Sequence, residues 1–134
     1  MARLILDTGV LVAGVRGRGH LDALARTDDI AIPAVAVAEY LLGTMLDTDP
    51  ARAAAHRAFM EQLVQLVPVV GYDEVVAEHH AELLAHTQRA GEPRGVHDLI
   101  VAAIARSSGR TVVTTDKRAR FGELPGVDAR VVGA

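Results

Sequence analysis

The chain has 134 residues, half of them hydrophobic, and its 14 basic against 17 acidic residues give a formal charge of −3. That length suits one domain, residues 1–134, able to bury a core without staples. The absence of cysteine excludes disulfides, thiolate nucleophiles and cysteine-type zinc sites, and the acidic balance excludes a protein held on nucleic acid by global charge alone.

Phe and Tyr number two each and Trp is absent. The core must therefore be built from Ala, Val, Leu and Ile, which suits helices packed on a Val/Ile-rich sheet. Asp7 interrupts the first apolar run too early for the hydrophobic region of a signal peptide. No apolar stretch approaches the roughly 18 residues of a membrane span. With no cysteine, these features agree with a reducing, cytoplasmic location.

Residues 3–6, Arg-Leu-Ile-Leu, read as a first strand, ended by Asp7-Thr8. Residues 8–15 read as a helix. Gly14, Gly17 and Gly19 break the pattern, and a helix resumes from about His20 to Thr27. Asp28-Asp29 is a turn and Ile30–Ile32 a very short second strand. Pro33 stands where a proline opens a helix, here Ala34 to Leu46. Asp47-Thr48-Asp49-Pro50 is a turn and cap signal ahead of a helix from Ala51 to Gln65. Residues 66–70 read as a third strand, whose Pro68 places it at an edge.

Asp73 caps a helix running to about Ala90, and Gly91 to Gly95 is a loop. Residues 97–108 form an apolar helix that Gly109 ends. Thr111–Thr114 is a fourth strand, Lys117 to Leu124 a short helix, and 128–132 a last edge strand. Strands alternate with helices throughout, which predicts an α/β fold: a central parallel sheet of four to five strands flanked by helices on both faces. No repeat or linker divides the chain.

Four acids stand where acids are unusual. Glu39 sits in Pro-Ala-Val-Ala-Val-Ala-Glu-Tyr-Leu-Leu, a helix apolar nearly all round. Such helices are buried, and an unpaired buried charge is costly. The competing reading is a narrow polar stripe or a partner for a buried arginine. Asp7 and Asp116 follow directly on the first and fourth strands. They fall at the carboxyl ends where open α/β sheets bind ligands. A helix cap at Asp7 and a turn at Asp116 are the competing readings. Asp98 opens the helix Leu-Ile-Val-Ala-Ala-Ile-Ala, where a cap again competes. The case rests on the four together.

An all-oxygen set selects hard cations such as Mg²⁺ or Mn²⁺. Two carboxylates about 4 Å apart repel by roughly 4 kcal/mol at an effective dielectric of about 20. Four in one pocket would oppose folding unless cations or protons neutralise them. One or two divalent ions would do so and leave positions for water and phosphate. Setting these four of the 17 acids aside leaves 13 against 14 basic residues, near balance.

With these residues in view, the chain resembles the PIN-domain ribonucleases, most of all the VapC-type toxins of bacterial toxin–antitoxin pairs. Leu-Ile-Leu-Asp7-Thr8-Gly-Val-Leu-Val-Ala is similar to the family's opening motif and Ile-Pro-Ala-Val-Ala-Val-Ala-Glu39-Tyr to its second. His-Asp98-Leu-Ile-Val-Ala-Ala-Ile-Ala is similar to the third, and Val-Val-Thr114-Thr-Asp116 with Phe121 downstream to the fourth. The likeness runs from Leu4 to Val132. It implies a single PIN-like domain and a Mg²⁺- or Mn²⁺-dependent endoribonuclease that cuts RNA with a metal-activated water. Asp7, Glu39 and Asp98 would be the core acids and Asp116 the more variable fourth. Asp7 and Asp98 would bind metal, Glu39 and Asp116 directly or through water. Thr8 and Thr114 would be supporting or phosphate-facing hydroxyls. The resemblance also implies a VapB-type antitoxin partner and a homodimer.

The residues themselves support the partner surface more weakly. The helices at 34–46 and 51–65 carry Met45, Leu46, Phe59, Met60 and Leu63, for which ordinary core packing is the competing reading. Arg94, Lys117, Arg118 and Arg120 flank Asp98 and Asp116 in sequence and are candidates for RNA phosphates, against a solvated surface. His79-His80 cannot share a helix face and read as surface. His97 borders Asp98 and is kept as a supporting group. Gly14, Gly17 and Gly19 do not match the dinucleotide fingerprint. Two other functions stay open: a non-catalytic PIN-like module that binds RNA or protein, and an α/β phosphotransfer protein using Asp7. The absence of Asp-x-Asp after the first strand counts against the second.

Overall fold

In the computed structural model of the chain, residues 1–16 and 18–133 are described, and residues 15, 16 and 18–20 by backbone alone. Five strands form one parallel sheet: β1 (Arg3–Leu6), β2 (Asp29–Pro33), β3 (Val69–Val70), β4 (Thr111–Thr114) and β5 (Ala129–Val131). Their order is β3-β2-β1-β4-β5, with Leu4 beside Ile30 and Thr111 in register. The chain steps outward from β1 through β2 to β3, then crosses back to lay β4 against the other side of β1. Strand order therefore reverses between β1 and β4, and a crevice opens at their carboxyl ends.

Six helices surround the sheet among the described residues: α1 (Thr8–Arg16), α2 (Arg18–Thr27), α3 (Ala34–Leu46), α4 (Pro50–Leu66), α5 (Glu74–Ala90) and α6 (Val96–Ser108). Leu4, Ile5 and Leu6 are fully buried, as a central parallel strand covered on both faces requires. Their side chains alternate between faces. Leu4 and Leu6 join Val10, Ile32, Tyr40 and Met60 in the core under α1, α3 and α4. Ile5 joins Leu83, Leu99, Ile104 and Phe121 in the core under α5 and α6. The sequence-predicted layers are thus present.

Local chemistry sets the helix ends. Asp49 accepts from the Ala51 and Arg52 amides at 3.0 and 3.2 Å, with Pro50 at the first helical position of α4. Asp73 accepts from the Val76 amide at 2.9 Å. Gly91 and Gly109 close α5 and α6 at φ 66° and 65°, where a side chain would be strained. At the amino edge of the sheet, Arg110 Nη1 donates to the carbonyls of Leu4 and Asp29 at 3.1 and 2.9 Å, tying β1, β2 and β4 together far from their carboxyl ends.

Three expectations change. The third strand keeps only Val69–Val70, because α4 runs on to Leu66 and Pro68 has no N–H for a ladder; the pair does lie at the edge. Lys117 to Leu124 is not a helix but a turn followed by a 3-10 turn at Phe121–Glu123. Arg120, at φ 49°, is left-handed and interrupts any helix there. Gly14 lies inside α1 and α2 begins by Arg18; the expected break at Gly17 is outside the described residues.

Candidate active site

Asp7 extends β1 by one residue, its amide donating to the Val113 carbonyl at 2.9 Å. Ladder and helix start together fix its backbone. One carboxylate oxygen, Oδ1, accepts from the Thr8 amide and the other, Oδ2, from Thr114 Oγ1, both at 2.9 Å. Thr114 ends β4, fully buried, and its hydroxyl also accepts from the Asp116 amide at 3.0 Å. A single hydroxyl thus spans the crevice between the carboxyl ends of β1 and β4.

Glu39 reaches the same end from α3. Its Oε1 accepts from Thr8 Oγ1 at 3.3 Å, and its Oε2 lies 3.4 Å from His97 Nδ1. The reason for singling it out needs correction. The helix is not buried all round: Ala36, Tyr40 and Thr44 face inward while Leu42, Met45 and Leu46 are exposed. The Glu39 side chain is itself 33% exposed, at the boundary between core and crevice.

Asp98 lies in the first turn of α6 behind Gly95, which makes no side-chain cap bond. A Cβ at Gly95 would stand 3.1 Å from Asp98 Oδ2, so the loop passes close against this carboxylate. Asp116 is exposed and accepts from the Arg118 amide at 2.8 Å, the turn bond expected of an aspartate in its place. Gly9, just past Asp7 and Thr8, was not foreseen: a Cβ there would collide with the Thr115 hydroxyl. Its signal is a glycine directly behind the strand-end acid.

The four acids feel one another. Burial pushes the Asp7 carboxyl above its ordinary pKa, with the Glu39 and Asp116 charges adding, while bonds from Thr114 and Thr8 pull it down. Burial also raises Asp98, and Asp7, Asp116 and Glu39 raise it further, against a lowering from His97. Such mutual repulsion invites a cation. The donors, carboxylate oxygens alone, fit a hard divalent ion. Among the described residues no three acids or histidines already stand close enough to hold an ion. An ion would draw the side chains inward or be held partly through water.

Of the cations expected near RNA, Lys117, Arg118 and Arg120 are exposed, and Arg94 is half-buried. Arg94 Nη1 donates to the Ala119 and Arg120 carbonyls at 2.6 and 3.0 Å. A groove of about 410 Å³ lies elsewhere, between α2, α4 and the start of β2, lined by Leu21, Asp22, Phe59 and Leu63. None of the four acids lines it.

With that geometry, the match to known proteins is specific. The family described as PIN domain matches residues 4–126. The chain belongs to the PIN-domain family. Among relatives of this PIN domain is the tRNA(fMet)-specific endonuclease VapC of Shigella flexneri, 30% identical over 125 residues, covering 88% of this chain and 89% of that one. The DNA-bound VapBC of Salmonella typhimurium contains a chain with a TM-score of 0.81 and 25% identity, covering 98% of both. VapBC2 of Rickettsia felis, bound to a promoter fragment, gives 0.84 at 18% identity, covering 97% of this chain and 98% of that one; this likeness is one of fold. The PIN-like fold read from the sequence is therefore the fold observed. Among the described residues no helix is long and apolar enough to cross a membrane.

Proposed function

We propose that the protein is a Mg²⁺- or Mn²⁺-dependent endoribonuclease, the toxin of a toxin–antitoxin pair. The observation that carries this reading is the gathering of Asp7, Glu39, Asp98 and Asp116 at the switch point of the sheet, with Asp7 and Asp98 both destabilised as anions. The relative from Shigella flexneri is an endonuclease by name and the Salmonella typhimurium structure is a VapBC assembly, which supports the RNA substrate and an antitoxin partner. RNA as substrate in turn supports a cytoplasmic place of work.

Asp7 and Asp98 would hold the ion, with Glu39 and Asp116 joining directly or through water. When bound, the ion supplies Lewis acidity, lowering the pKa of a water and offsetting phosphate charge. The chain's own residues do the rest. Thr114 and Thr8 orient the carboxylates of Asp7 and Glu39, and His97 braces Glu39 from α6. Lys117, Arg118 and Arg120 are exposed on the segment that follows Asp116, Arg120 beside Glu123, and would attract the RNA backbone. Water would attack phosphorus as the P–O bond to one ribose oxygen breaks, the water giving up a proton and the leaving ribose oxygen taking one up, with no bond between enzyme and RNA.

Leu42, Met45 and Leu46 on α3 are exposed and offer apolar surface for the antitoxin or a second copy. Phe59, Met60 and Leu63, grouped with them in the sequence, are buried in the core instead. The test is RNA cleavage by the purified chain with Mg²⁺ or Mn²⁺, against EDTA and against Asp98→Asn. Cleavage confined to the metal-loaded native chain is expected, and equal cleavage in all three would overturn the mechanism.

A further inference from the structure

The loop between α5 and α6 and the loop after β4 are joined by one side chain. Arg94 Nη1 donates to two successive carbonyls, Ala119 and Arg120, at 2.6 and 3.0 Å. Its Nε is buried with no hydrogen-bond partner. A guanidinium that meets phosphate does so with the donors of its fork, and here Nη1 is already spent on the chain's own carbonyls. This one is half-buried, with Nη1 bonded to the chain's own backbone and Nε buried and unsatisfied, which is costly. The bonds it makes must fix something.

What they fix is a strained turn. Arg120 is the only non-glycine residue with positive φ among the described residues, at 49°, a conformation unfavourable for an L-residue. Buried Ala119 and Phe121 anchor the chain on either side of it. The same turn carries Asp116, whose carboxylate accepts from the Arg118 amide and whose own amide donates to Thr114 Oγ1. On the other side of the clamp, Gly95 follows Arg94 and packs close to Asp98 Oδ2. Arg94 therefore ties the segment bearing Asp98 to the segment bearing Asp116, acids 18 positions apart in the chain.

We propose that Arg94 is a positioning residue: by clamping the Ala119 and Arg120 carbonyls it holds the Asp116 turn in register with Asp98 and so sets divalent-cation affinity, without contacting RNA. This rests on the metal-dependent reading above. It departs from the sequence-based expectation that Arg94 meets phosphate.

The test compares Arg94→Gln and Arg94→Lys with the native chain, each also combined with Asp116→Asn. Hydrogen exchange of the metal-free protein is the first readout. The Asp116 and Arg118 amides should lose protection in Arg94→Gln while the β1 amides keep theirs. Unchanged protection would overturn the clamp. Mn²⁺ titration is the second. Affinity should fall roughly tenfold in Arg94→Gln, recover in part in Arg94→Lys, which can still donate to one carbonyl, and change no further when Asp116→Asn is already present. Equal Mn²⁺ affinity with a raised KM for RNA would make Arg94 an RNA contact and overturn the proposal. Should Arg94→Gln not fold, Arg94→Lys carries both readouts. If the native chain cleaves no RNA with any metal, the nuclease reading fails, while the exchange data still decide the clamp.

Discussion

Thr114 Oγ1 donates to Asp7 Oδ2 at 2.9 Å while accepting from the Asp116 amide at 3.0 Å. One buried hydroxyl thus serves two acids that follow neighbouring strands. Thr114→Val keeps the shape and removes both bonds. The Asp116 amide and the Asp7 oxygen lose a partner, which costs about 1–3 kcal/mol. The larger of the two bonds that lower the Asp7 pKa, the one from Thr114, also goes, so that carboxyl should titrate higher. Chemical denaturation and NMR titration of the Asp7 carboxyl would check both. RNA cleavage should fall with them, because the valine leaves the Asp7 carboxylate held by the Thr8 amide alone. Unchanged cleavage would mean that Asp7 orientation is set elsewhere.

Asp7 and Asp98 bind protons more tightly folded than unfolded. Between the unfolded pKa and the raised folded one, the native state holds protons that the unfolded chain has released. Metal-free stability should therefore fall as pH rises through that window, and the penalty persists above it. Millimolar Mn²⁺ should reverse the loss: at a hundred times Kd, mass action supplies about 2.7 kcal/mol, on the order of 10 °C in melting temperature. The metal effect should grow with pH, since the ligands must be deprotonated. Asp98→Asn should raise the metal-free melting temperature and shrink the Mn²⁺ shift. Differential scanning fluorimetry across pH tests this, and a melt indifferent to Mn²⁺ at every pH would count against the site.

The layers were legible because the strands announce themselves. Leu4 to Leu6 and Val112 to Val113 are continuous apolar runs, and Asp49, Asp73, Gly91 and Gly109 punctuate the helices by local chemistry. What escaped depends on contacts distant in sequence or on a single dihedral. No local signal marks Arg120 as left-handed, so the 117–124 segment read as a helix. Arg94 finds its acceptors 25 and 26 residues away, and its neighbours suggested only a surface cation. Glu39 was singled out on the premise of a buried helix, yet Leu42, Met45 and Leu46 emerge into solvent. Its position at the crevice follows from α3 running off β2 through Pro33, which hydropathy alone does not encode.

The Asp49 cap separates stability from chemistry. Its side chain accepts from the Ala51 and Arg52 amides at the start of α4, and it belongs to none of the bonds that join the four acids. Asp49→Ala should cost roughly 0.5–2 kcal/mol. Cleavage well below the melting temperature should equal that of the native chain. A lost activity without lost stability would require a link between α4 and the crevice that the hydrogen bonds described here do not contain.

Lys117 follows Asp116 directly and is exposed. If it meets an RNA phosphate, its contribution is electrostatic and indifferent to sequence. Lys117→Ala should then weaken binding of unrelated single-stranded RNAs by a similar factor. The slope of log K against log salt should become shallower by roughly 0.7, one phosphate contact on a single strand. The measurement is best made on the Asp98→Asn background, where the RNA should stay intact, by fluorescence anisotropy between low and moderate salt. An unchanged slope would place Lys117 in solvent and leave Arg118 and Arg120 as the cations of the approach. A loss confined to one RNA sequence would instead indicate a base contact, since phosphates carry no sequence information.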